Sequence, residues 1–99
     1  MTEDFDTALV EFENIATKIY HRIWAQFAEY VRTIDREEEQ NVFRMQASKF
    51  ADALKQSLNE EVKKALSISH SKNLNKLDAA LSARVDYYIG QFHVKCNSL

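Results

Sequence analysis

No proline and a single glycine, Gly90, punctuate this 99-residue chain. Sheets need turns, and tight turns draw on glycine, proline, asparagine and aspartate. Asparagine and aspartate are present, but no Asn-Gly or Asp-Gly pair separates alternating apolar runs. Most all-β folds are thereby excluded. So are phosphate-cradling loops, which are built from runs of glycine. What remains is a helical chain, and the length allows one domain over residues 1–99. Apolar residues make up 45% of it, enough for a core without disulfides or metals.

The apolar positions return with helical spacing, and they predict an antiparallel three-helix bundle with helices over about 3–34, 36–66 and 72–95. In the first, Phe5, Ala8, Leu9, Phe12, Ile15, Ala16, Ile19, Ile23, Phe27, Tyr30 and Ile34 share one face. Thr2 suits an N-cap, and Glu3 and Asp4 favour the positive end of the helix dipole. The second stripe is Phe43, Ala47, Phe50, Ala51, Leu54, Leu58, Val62, Ala65 and Leu66. The third is Leu74, Leu77, Leu81, Val85, Tyr88, Phe92 and Cys96. Ser67 to Ser71 reads as a loop, because hydroxyl side chains compete for backbone hydrogen bonds. Residues 35–41 are open between a turn, with Asp35 as cap and Glu38 completing a capping box, and one continuous helix whose stripe other chains would cover. Homodimerisation is a second way to complete the bundle.

Charge narrows the partners. The formal net charge is −2, without the basic footprint of a nucleic-acid binder. Lys55, Lys63, Lys64 and Lys72 have no aromatic ladder among them, and Glu37-Glu38-Glu39 reads as a solvated helix start. No stretch approaches the roughly 18 apolar residues of a membrane span, and Met1-Thr2-Glu3-Asp4 does not resemble a signal peptide. The one cysteine, Cys96, fits a reducing, cytoplasmic setting. The last four residues, Cys96-Asn97-Ser98-Leu99, lack the aliphatic middle pair of a prenylation box.

The chemistry-bearing residues form no familiar constellation. His21 lies almost opposite Phe12 on the helical wheel, and His70 merely neighbours serines. His93 and Cys96 stand three apart and could touch one metal ion, but two ligands do not make a tetrahedral site. The Glu-x-x-His motif of di-iron bundles is absent. The expectation is therefore no catalytic residue, no metal and no cofactor.

Two helical faces are less charged than a surface needs to be. On the first helix the charges after residue 15 gather on one flank (Lys18, Arg22, Glu29, Arg32). Tyr20, Trp24 and Val31 form a shoulder beside the core stripe, continued by Thr17 and Ala28. On the third helix Ala79, Ala83, Tyr87, Gly90 and Val94 lie opposite the stripe, bordered by Lys76 and Asp86. A helix touching two neighbours buries a wide arc, which is one account of the shoulder; an exposed aromatic patch that binds another chain is the other. The second account predicts a non-enzymatic protein–protein interaction module (an adaptor, a complex subunit or a small inhibitor) with Tyr20, Trp24, Val31, Ala83, Tyr87, Gly90 and Val94 as partner-binding residues. The partner is another protein or a second copy, not nucleic acid or membrane. Competing readings are a self-assembling structural protein and a metal-binding or enzymatic bundle.

Overall fold

A computed structural model describes residues 2–35, 37–68 and 74–98, with side chains from residue 5 onward. It is an all-α bundle of three helices: α1, Thr2–Val31; α2, Gln40–Ile68; and α3, Leu74–Ser98. Phe27 near the end of α1 meets Phe43 near the start of α2, so these two run antiparallel. Thr17 meets Tyr88, and Trp24 meets Phe92, so α3 runs parallel to α1. The result is an up-down-up rod measuring 54 × 19 × 18 Å.

The sequence stripes bury largely as expected. Phe12, Ala16, Ile23 and Phe27 on α1 meet Phe43, Ala51, Leu54, Leu58 and Val62 on α2 and Leu77, Leu81, Val85, Tyr88, Phe92 and Cys96 on α3. Phe27 anchors one end of the rod. Its ring lies 5.3–5.8 Å from those of Trp24, Phe43, Phe50 and Phe92, tying all three helices together. The rings are tilted, as the aromatic quadrupole prefers. Among the described residues no polar or charged one is buried.

Three stripe members differ from expectation. Ile15, Tyr30 and Leu74 are exposed, while Tyr20 is buried. For the α1 residues the cause is the position of α3, which covers the Glu13–Tyr20–Trp24 side of α1 and rotates the buried arc toward it. Leu74 is the first residue of α3.

The described residues between the two helices, 32–35 and 37–39, are not helical, and α1 stops before Ile34. The Thr33 hydroxyl and N–H both donate to the Tyr30 carbonyl, at 2.7 and 3.2 Å, and Ile34 N–H donates to Val31 at 3.2 Å. These three-residue closures replace the α-helical ladder. Asp35 then acts as a cap, its carboxylate accepting from the N–H groups of Glu37 and Glu38 at 3.1 and 3.4 Å. The carbonyl of Asp35 accepts from Glu39, closing one isolated turn before α2 begins at Gln40 rather than at residue 36. At the next junction Ser67 and Ile68 are still helical, with the Ser67 hydroxyl donating back to the Lys64 carbonyl at 2.9 Å. The remainder of the expected serine loop, with His70 and the cap at Ser69 or Ser71, lies outside the described residues.

Candidate interaction surface

The expected binding residues fall into two groups. Tyr20, Trp24 and Val31 are used inside the chain. Tyr20 is only 6% exposed, its ring 5.8 Å from that of Tyr88, so it is a core residue and not a docking residue. Its hydroxyl is buried with no hydrogen-bond partner among the described residues. Burial pushes its pKa above the ordinary tyrosine value. Trp24 is half-buried, edge-on to Phe92 at 5.6 Å, and Val31 packs on the same core. The Lys95 ammonium lies 5.2 and 5.3 Å from the Tyr20 and Trp24 rings, extending its stem over them. The shoulder of α1 is thus the seat of α3, as expected for a helix with two neighbours.

Ala83, Tyr87, Gly90 and Val94 are exposed on the side of α3 turned from the core. Tyr87 and Val94 keep 48% and 59% of their surface in solvent. The Arg84 guanidinium lies 4.3 Å from the centre of the Tyr87 ring and holds it against the helix. Positions 83, 87, 90 and 94 alternate in steps of four and three, the spacing of a helix–helix seam. A Cβ added at Gly90 would meet nothing within 4 Å, and its φ is not positive. Neither packing within the chain nor backbone conformation requires glycine there.

Sequence reasoning did not single out Glu13 and Arg84, which together with Thr17 of the shoulder and Tyr88 of the third stripe clamp α1 to α3. Arg84 donates to both carboxylate oxygens of Glu13, its Nη2 at 3.2 Å, and the Tyr88 hydroxyl donates to Glu13 as well. With that proton committed, Thr17 donates to the Tyr88 oxygen at 3.2 Å. The Arg84 hydrogen bonds, with that from Tyr88 and against the effect of burial, hold the Glu13 carboxyl below its ordinary value. Burial and the neighbouring carboxylate raise the Tyr88 pKa. Glu13 and Thr17 stand four apart on α1, as do Arg84 and Tyr88 on α3. Only knowledge of the helix register links the two pairs.

The remaining chemical candidates stay dispersed. His21 and His93 are exposed, whereas Cys96 is buried, so His93 and Cys96 occupy different environments. Among the described residues no group of three or more histidine, cysteine or carboxylate side chains could hold a metal ion. Among the described residues no helix is long and apolar enough to cross a membrane. No family model, curated protein or solved structure matches the chain.

Proposed function

We propose that this chain is a non-enzymatic protein-interaction module, an adaptor or subunit of a larger complex, that docks a partner helix on the outer face of α3. The observation that carries the reading is Gly90. Glycine inside a helix costs about 1 kcal/mol relative to alanine, and among the described residues no close contact at this position calls for it. A partner backbone approaching the Ala83–Gly90 surface would use the missing side chain, with Tyr87 and Val94 supplying apolar area on either side. Of the four described groups with perturbed ionisation, Glu13, Arg84 and Tyr88 are engaged with one another as a helix clamp and Tyr20 is buried in the core, which supports a structural use for them. With one cysteine the chain can form no internal disulfide, which suits a cytoplasmic setting.

Affinity capture with Gly90→Arg and Val94→Asp variants tests the reading. Both positions are exposed, so helical circular dichroism should be unchanged while the captured partner disappears. Retention of the same partner by both variants rejects the α3 face. If sedimentation instead shows a dimer that both variants dissociate, the partner is a second copy.

A further inference from the structure

A second surface lies along the seam between α1 and α2, as a groove of about 360 Å³. Glu11 lines it, whereas Glu13 faces α3. Two residues on a helix are about 200° apart, so the groove opens on the side of α1 away from α3. It shares no residue with the proposed α3 face. Its walls are apolar: Ala8 and Ile15 from α1, Ala65 and Ile68 from α2. The alanines leave the space, and Ile15 and Ile68 expose large side chains beside it.

The rim is acidic in an unusual way. The Glu61 side chain is only 19% exposed, and its ion pair is a 3.4 Å contact with Lys64, which is itself largely in solvent. Charge-assisted bonds of good geometry are about 2.7–2.9 Å long. Glu61 is therefore a carboxylate partly withdrawn from water with a loosely held counter-ion. Glu11 adds a second negative charge, so the groove is lined by two acids against one base, Lys64. An acyl chain would fit the walls, but its carboxylate would meet two acids, Glu11 and Glu61, against the single ammonium of Lys64.

We infer that the groove docks a basic amphipathic helix of a partner protein. Apolar side chains at helical spacing would enter between Ile15 and Ile68, and a lysine or arginine would replace Lys64 on Glu61. The charge of the rim selects this occupant, because it repels acidic segments and favours cationic ones. The inference goes beyond the α3 reading and survives its failure. With two docking sides the chain would join two partners across its width.

The test uses the full chain and a fluorescein-labelled amphipathic peptide of leucine and lysine, followed by anisotropy. Its counterpart with glutamate in place of lysine is the control. Saturable binding of the lysine peptide alone is expected. Glu61→Gln, which preserves shape, should weaken it roughly tenfold. Ala65→Phe fills the groove and should abolish binding with helical circular dichroism intact, and Gly90→Arg should change nothing. Equal binding of both peptides, or unchanged affinity in Glu61→Gln and Ala65→Phe, overturns the inference in favour of general attraction to acidic α1. A dimer that Ala65→Phe dissociates and that excludes the peptide overturns it in favour of a second copy.

Discussion

Gly90→Ala should stabilise this protein, and the size of the gain follows from the structure. Gly90 lies in the interior of α3, its φ is ordinary for a helix, and an added Cβ meets no atom within 4 Å. No strain or overpacking opposes the substitution, and the new methyl remains in solvent, so burial adds nothing. What remains is the backbone term: alanine restricts the unfolded chain and is the better helix former, worth about 1 kcal/mol. For a domain of this size that raises the melting temperature by roughly 4–8 °C. In urea the midpoint should move by about half a molar at ordinary slopes. Thermal and urea unfolding followed by far-ultraviolet circular dichroism measures both. An unchanged or lowered midpoint refutes the reasoning, because it would mean that glycine is needed within the chain. The functional corollary has the opposite sign. At a close helix–helix contact the same methyl holds the partner off, so affinity should fall while stability rises. A variant that is more stable and binds its partner at full strength removes the argument for Gly90 as a docking position.

Phe27→Ala should cost about 3–5 kcal/mol, a large part of the stability of a small domain, and broaden or abolish cooperative unfolding in urea. Its ring touches aromatic partners on all three helices. Tyr20→Phe removes a buried hydroxyl that lacks a partner and should be neutral or stabilising by up to about 1 kcal/mol; a clear loss in a urea titration would reveal a hidden partner. Glu13→Gln should cost about 1 kcal/mol at neutral pH, a modest figure because the pair is part-exposed and screened. The folded Glu13 carboxyl titrates below its ordinary value of 4.5, so its stabilisation is present above that value and fades as pH falls through the lowered folded value. Unfolding curves of the parent and Glu13→Gln should therefore converge in acid, and a gap that persists there argues against the clamp.

The three stripes and the anomaly at Gly90 are written in the sequence, because each is a property of one segment and helical periodicity orders residues around one axis. Whether the chain breaks near Asp35 stayed open in the sequence, and the structure ends α1 at Val31 and begins α2 at Gln40. Leu54, Leu58, Leu81 and Phe92 could be placed in the core on that basis, and they are fully buried. Periodicity does not say how far one helix is rotated or shifted against the next. That relation decided that the Tyr20–Trp24 shoulder is core, that Ile15 is surface, and that Glu13 reaches Arg84 and Tyr88 across 71 and 75 positions. It also placed Ala8 opposite Ala65, which opens the groove. The face of α3 needed no such relation, since its residues already lay together on one helix. The tertiary structure contributed the fact that nothing among the described residues covers Gly90.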